Sequence, residues 1–384
     1  MNKKLKIGVV CYPTYGGSGV VATELGIALA RKGHHIHFIS YKRPARLNIF
    51  SENIYLHEVT TANYPLFEYL PYETSLASKM VEVVEKEKLD ILHVHYAIPH
   101  AAVAYMAKQI LKARGKSIPV ITTLHGTDIT LVGKNPAFAP VVEFSINQSD
   151  GVTAVSNHLK QETIDRFDIT KDIEVIYNFI DFKRFRRVNK DHFKQAIAPN
   201  GEKIVAHTSN FRKVKRVGDV IRIFNEIHKK VPSRLLLIGD GPERNSLEEL
   251  CKELECRDSV RFLGKQDAVE ELLAISDLFL IPSQNESFGL AALEAMACEV
   301  PVISSNIGGL PEVIQHGISG FLEDVGDVKA MAAHGISLLT NEKMLEQFRA
   351  AAIARAKDFH IDSIVPMYEN YFCSLIECDK GVHA

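Results

Sequence analysis

One feature constrains this chain more than any other. A short apolar run, a loop and a segment with apolar residues at helical spacing follow one another along nearly its whole length. Lys6–Cys11 is a β-rich run, Gly16-Gly17-Ser18-Gly19 follows it, and Val20–Arg31 then carries the helical pattern as far as Gly33. His35–Ser40, Ile91–Val94 and Val120–Leu124 read as further strands, with helical Ala101–Ala113 between the last two. Strands without polar alternation are buried on both faces, which predicts parallel sheets covered by helices. The alternation then restarts. Ile204–Thr208, Arg234–Ile238, Val260–Leu263, Leu278–Ile281 and Pro301–Ser304 read as strands, and Gly218–Lys230, Glu243–Glu255, Ala268–Ile275 and Leu290–Ala297 as the helices between them. At 384 residues the chain suits two cores rather than one. The expectation is therefore α/β: two doubly wound domains joined near Asn178–Asn200, a charged and weakly periodic stretch.

A formal net charge of −2 argues against a nucleic-acid partner and leaves any anionic ligand to local cationic sites. The first apolar run stops at Tyr12-Pro13, too early for an export signal, and no run reaches membrane-spanning length. This predicts a cytoplasmic protein without stable membrane association. The six cysteines form no C-x-x-C pair, as expected of reduced thiols. A homo-oligomer is compatible with the sequence, which does not fix the state.

Open parallel sheets bind ligands beyond the carboxyl ends of their strands, so the residues just after each strand matter most. Gly17-Ser18-Gly19-Val20-Val21-Ala22 matches the weak dinucleotide pattern, and its small residues let helix amides approach an anion. A nicotinamide enzyme is the rival. However, Tyr12–Tyr15 separates strand from glycines, and the second strand ends without the acidic residue that would hold a ribose. His93, His95 and His100 lack a Cys or carboxylate to complete a metal set, so hydrogen-bonded strand-end histidines account for them better. His125 heads a His-Gly-Thr-Asp turn, where Asp128 is expected to orient its ring, and strand alternation puts Thr123 on the same face.

In the second half, Ser209-Asn210-Phe211-Arg212-Lys213-Val214-Lys215-Arg216 crowds cations at a helix start, where positive charge is unfavourable unless an anion is bound. A diphosphate suits that place. Asn285-Glu286-Ser287-Phe288-Gly289-Leu290 leads into Glu294, eight residues beyond Glu286. About two helical turns would put both carboxylates on one side, suited to sugar hydroxyls.

These residues resemble the large retaining glycosyltransferase family four, whose hallmark is Glu, seven residues, Glu, with Phe-Gly inside. Gly239-Asp240-Gly241-Pro242, Phe262-Leu263-Gly264 and Gly308-Gly309-Leu310-Pro311-Glu312 look like its landmarks in order, and the likeness runs from Ile7 to about Glu323. The resemblance implies a GT-B fold, two Rossmann-like domains facing across a cleft. Residues 1–180 would bind the acceptor and residues 181–359 the nucleotide sugar, with 360–384 crossing back onto the first domain. Cys11-Tyr12-Pro13, His93–His100, Thr122–Asp128 and Asn210–Arg216 look, within the family, like members that join N-acetylglucosamine from UDP-N-acetylglucosamine to the hydroxyl of L-malate, the first step of bacillithiol assembly. One departure stands out: Ser209-Asn210 occupies the place of the family's usual Gly-Arg pair, which leaves either Arg212 or Arg216 to supply the missing cation.

The resemblance further implies a retaining hexosyltransferase that needs no metal or other cofactor, since no Asp-any-Asp triplet occurs and Lys215 with a neighbouring arginine can stabilise the leaving diphosphate. No protein nucleophile is assigned. Catalytic roles fall to His125 beside the sugar's 6-hydroxyl, Glu286 on its 3- and 4-hydroxyls, and Lys215. Gly17, Asn210, Arg212, Arg216, Ser287, Phe288, Gly289 and Leu290 would complete the donor site, with Glu294 on the ribose and Gly264-Lys265 at the uracil. Ser18, Tyr96 and Thr123 would meet malate, with Lys42 or Arg46 as charge partners. Alternatives remain at this level: a family member with a lipid-linked or polysaccharide acceptor, a sugar-nucleotide epimerase, or a non-catalytic nucleotide-sugar binder.

Overall fold

The computed structural model describes residues 4–14, 16–47, 50–61, 71–133, 135–188 and 191–382. The chain divides into two units, Met1–Asn178 with Asp362–Ala384, and Phe179–Ile361.

The first unit runs β1 (Lys6–Val10), α1 (Gly17–Arg31), β2 (His35–Ser40), β3 (Ile54–Glu58), α2 (Tyr72–Glu87), β4 (Ile91–His95), α3 (Ala102–Ala113), β5 (Val120–Leu124), α4 (Ala139–Gln148), β6 (Gly151–Ala154), α5 (Asn157–Arg166) and β7 (Ile173–Val175). Among the described residues its strands form one parallel sheet in the order β3-β2-β1-β4-β5-β6-β7. Strands β4 and β5 are buried at every position, as unalternating apolar runs require. The order reverses between β1 and β4. The loops leaving those two strands therefore lie side by side at the carboxyl edge, the usual place for a ligand.

The second unit repeats the plan with α6 (Asp191–Ile197), β8 (Lys203–Thr208), α7 (Val217–His228), β9 (Ser233–Ile238), α8 (Arg244–Glu253), β10 (Val260–Gly264), α9 (Val269–Ala274), β11 (Leu278–Ile281), α10 (Leu290–Ala297), β12 (Val302–Ser305), α11 (Leu310–Val313), β13 (Gly320–Glu323), α12 (Val328–Thr340) and α13 (Glu342–Ala356). Its parallel sheet has the order β10-β9-β8-β11-β12-β13, so here the reversal falls between β8 and β11. One face is sealed by Phe224 and Ile227 of α7 against Leu235 and Leu237 of β9. The stretch read as a linker contains α6, and the division between units falls at its start.

The last helix, α14 (Ile361–Val382), leaves the second unit at once and packs on the first. Tyr368 and Phe372 are fully buried, with their rings 5.7 and 5.3 Å from that of His93. Glu369 pairs with Lys32 and accepts from His34 Nε2 at 2.9 Å, and the Tyr371 hydroxyl accepts from the Val152 amide at 3.0 Å. Among the described residues no helix is long and apolar enough to cross a membrane.

Candidate active site

In the second unit the topology brings the two charged motifs together. The β8 loop is anchored by Phe211, wholly buried, whose amide donates to the Asp240 carbonyl and whose carbonyl accepts from Glu243. Gly241 must be a glycine there, because a methyl group would lie 2.6 Å from the Phe211 nitrogen. The chain then makes a helical turn over Lys213–Lys215 and enters α7 through Arg216 in the left-handed region, φ 49°. The β11 loop is tied alongside by the Gln284 amide, which donates to the Val214 carbonyl at 2.8 Å. Across this seam Lys215 Nζ donates to Glu286 Oε1 at 2.5 Å, and Ser283 Oγ donates to the same oxygen at 3.0 Å.

Glu286 is braced from a third side. Gly309 donates its amide to the Glu286 carbonyl at 2.9 Å, and at Gly308 (φ 62°) a methyl group would stand 1.9 Å from that carbonyl oxygen. Phe288 is buried, and Gly289, at φ 99°, caps α10 in the left-handed region favourable to glycine. Helix α10 begins only at Leu290, so Glu286 lies in the preceding loop. The expectation that two helical turns align Glu286 with Glu294 is thereby corrected: Glu294 sits on α10, mostly buried, while a loop places Glu286. Ser287 and Leu290 flank the helix start, half-buried.

The two arginines separate. Arg216 is turned onto α7, its Nε donating to Asp219 Oδ2 at 2.7 Å, whereas Arg212 is exposed on the loop beside exposed Asn210. Behind them His207 Nδ1 donates to the Leu280 carbonyl at 2.7 Å, so its bare Nε2 accepts from Ser209 Oγ at 2.8 Å. Burial depresses His207 to about 4, against the help of that carbonyl bond, and keeps it neutral. Gly264 ends β10 at φ 66° with its carbonyl accepting from Gly239, and Lys265 beyond it is exposed.

In the first unit the β1 and β4 loops meet as the strand order demands. The Tyr96 hydroxyl donates to Ser18 Oγ at 2.6 Å, at the start of α1, next to exposed Gly17. Gly19 lets the Tyr12–Thr14 loop fold over this helix start, since a methyl group would lie 2.5 Å from the Thr14 carbonyl. Tyr96 takes φ 84°, and its ring stands 5.3 Å from that of His125.

His125 is not oriented by Asp128. Its Nε2 lies 2.8 Å from His95 Nδ1, and the rings stack 5.1 Å apart. Asp128 instead accepts backbone amides of Ala97 and Gly126 and so clamps the β4 loop to the β5 loop. Burial raises its carboxyl to about 6 even though those amides pull the other way. Thr123 is likewise corrected as an acceptor contact. It is fully buried, and its hydroxyl is shared with His93 Nε2 and Thr153 Oγ1, both at 2.7 Å. His100 Nδ1 donates to the His95 carbonyl at 2.6 Å. Burial holds His93 and His125 near 3, His100 near 4 and His95 well below its ordinary value, so the cluster is neutral. Among the described residues no group of three or more His, Cys, Asp or Glu is placed to hold a metal ion. Arg46 faces Glu24 of α1 at 3.7 Å, and Lys42 is exposed.

Sequence reasoning missed Ser283 and the pairing of His95 with His125. Their partners are known only once the strands are ordered, although a Ser three residues before the motif glutamate was visible.

Two parallel-sheet units, each with its candidate site residues gathered at the carboxyl edge of the sheet, are the architecture of the GT-B class of glycosyltransferase, and solved structures agree on the fold. Anabaena Alr3699/HepE in complex with UDP and glucose superposes with a TM-score of 0.82, covering 96% of this chain and 100% of that one at 21% identity. A sucrose-phosphate synthase from Thermosynechococcus elongatus gives 0.80, over 98% and 100%, also at 21%. Residues 15–184 match the model described as Glycosyltransferase Family 4 and residues 188–355 that of Glycosyl transferases group 1. The N-acetyl-alpha-D-glucosaminyl L-malate synthase of Bacillus anthracis is 50% identical over 380 residues, 98% of this chain and 99% of that protein. The chain belongs to glycosyltransferase family 4.

Proposed function

We propose that the chain transfers N-acetylglucosamine from UDP-N-acetylglucosamine to the hydroxyl of L-malate with retention of the anomeric configuration and without a metal. The observation that carries the substrates is the 50% identity, sustained over 98% of the chain, to a protein whose name states that product. In bacillithiol assembly this would be the first step.

The second unit suits the donor. Departure of UDP builds negative charge on the diphosphate, and Lys215, exposed Arg212 and the amides opening α7 and α10, which no side chain caps, supply positive charge to meet it. Arg216 is the weaker candidate, because it is already paired with Asp219. Glu286 accepts the 3- and 4-hydroxyls of the sugar beside the Phe288, Gly289 and Leu290 amides. Glu294 takes the ribose, and the backbone at Gly264-Lys265 takes the uracil.

The first unit suits the acceptor. Ser18 and Tyr96, already in contact, offer hydroxyls at the positive end of α1 to a malate carboxylate, and exposed Lys42 offers charge. Arg46 would first have to release Glu24. A neutral His125 hydrogen-bonds the sugar's 6-hydroxyl and positions it without adding charge. A β-phosphate oxygen of the donor takes the malate proton as the hydroxyl attacks from the leaving group's face, so no protein nucleophile is required.

Incubation with both substrates in excess EDTA tests the reading. The expected result is UDP together with an α-linked N-acetylglucosaminyl malate, identified by mass and by the anomeric proton coupling. UDP without that product contradicts the acceptor, a β-anomer contradicts retention, and activity abolished by EDTA and restored by a divalent ion contradicts metal independence.

A further inference from the structure

We propose that Ser283 is a positioning residue for Glu286, and that its hydroxyl sets how faithfully the site reads the sugar. The inference deepens the donor reading above and rests on it. Ser283 follows β11 and is fully buried. Its Oγ donates to Glu286 Oε1 at 3.0 Å, and Lys215 Nζ donates to that same oxygen at 2.5 Å. Among the described residues the other oxygen, Oε2, carries no hydrogen bond. A carboxylate with both donors on one oxygen cannot rotate freely, and it keeps the other oxygen's lone pairs for an incoming hydroxyl.

The two donors are not equivalent when a diphosphate arrives. Lys215 is partly exposed and flexible, and the phosphate competes for its ammonium. Ser283 is short, buried and out of reach of that competition. It therefore holds Glu286 in place at the moment when Lys215 is drawn toward the leaving group. The backbone supports this division of labour. The Gln284 amide is fixed to Val214 and the Glu286 carbonyl to the Gly309 amide, so the four residues Ser283–Glu286 have little freedom except in the glutamate side chain itself. With a fixed Oε2, equatorial hydroxyls are distinguished from axial ones, because a misplaced hydroxyl leaves a buried acceptor unpaired.

The test compares wild type with Ser283→Ala and Ser283→Thr, using UDP affinity by calorimetry and transfer kinetics with UDP-N-acetylglucosamine and its C4 epimer UDP-N-acetylgalactosamine. Ser283→Ala is expected to lower kcat about tenfold, to leave UDP affinity within about twofold, and to narrow the preference between epimers. Ser283→Thr, which keeps the hydroxyl, restores most of both. A wild type that transfers no sugar overturns the donor reading, and this role with it. A competent wild type matched by Ser283→Ala in kcat and in epimer preference overturns this role alone, as does a variant whose UDP affinity falls in step with kcat.

Discussion

At the scale of single residues, the second-unit site is a carboxylate and an ammonium that neutralise each other until a ligand arrives. Lys215 has three N–H donors, so it can begin to bind a phosphate oxygen while still touching Glu286, before the leaving group draws it away. Lys215→Met should therefore do two kinds of damage, removing a charge from the diphosphate and loosening Glu286. We expect kcat to fall at least about 100-fold with UDP affinity weakened as well, measured by single-turnover transfer and calorimetry. Glu286→Ala should abolish transfer and leave UDP affinity nearly unchanged, because the donor reading puts Glu286 on the sugar and not on the nucleotide. Gly308→Ala is the sharper probe of the loop. A methyl group there meets the Glu286 carbonyl at 1.9 Å and sits on a backbone at φ 62°, so the variant should lose about 2–4 kcal/mol in a thermal melt as well as activity.

At the scale of elements, the strand order does most of the assembly, because each reversal of order sets two ligand loops beside one another. Helix α14 then packs onto the first unit, with Tyr368 and Phe372 against His93. Phe372→Ala should cost about 3 kcal/mol, seen as earlier melting of the first unit, while UDP affinity, which the donor reading assigns to the second unit, stays unchanged. Loss of UDP binding in that variant would contradict this assignment of roles. His35–Ser40, Val120–Leu124, Leu278–Ile281 and Leu290–Ala297 fall where the sequence places them, because strands buried on both faces and an alanine-rich buried helix leave unmixed patterns. The edge strand β3 escapes that logic. Ile-Tyr-Leu-His-Glu is half-exposed and mixed in polarity. β6 begins on Gly151 and spans only Gly151–Ala154, too short to show a period. For α12 and α13 the signal was present in the caps, Asp327 accepting from Ala330 and Asn341 from Met344. Contiguous motifs such as Glu286–Glu294 were legible for the same reason that the contacts among them were not. Local spacing is written in the chain, but His95 reaching His125 across 30 residues depends on two strands becoming neighbours.

At the scale of the whole molecule, the two units differ in what acid does to them. His93, His95, His100 and His125 are buried and neutral in the first unit, with folded values near 3 to 4 or lower, while in an unfolded chain they would take up protons near 6.5. Below that pH the unfolded state binds protons that the folded state refuses, so stability falls as pH drops from 6.5 toward 4. Asp128, raised to about 6 in the fold, works in the opposite sense across the lower part of that window and offsets one histidine. For this cluster the three uncompensated protons correspond to a slope of about 4 kcal/mol per pH unit. Among the described residues of the second unit, His207 is depressed by burial in the same way. Hydrogen exchange read by mass spectrometry at pH 7 and pH 5, corrected for intrinsic rates, should show the first unit opening in acid while β8–β13 stay protected; equal loss in both units would contradict it.

The donor claim is tested most directly by a crystal structure of the protein with UDP-N-acetylglucosamine. The account predicts the diphosphate within hydrogen-bonding reach of Lys215 and Arg212, the ribose on Glu294, and the sugar hydroxyls on Glu286 Oε2 with Oε1 still held by Ser283. A nucleotide seated anywhere else, or a bound sugar that leaves Glu286 untouched, would contradict it.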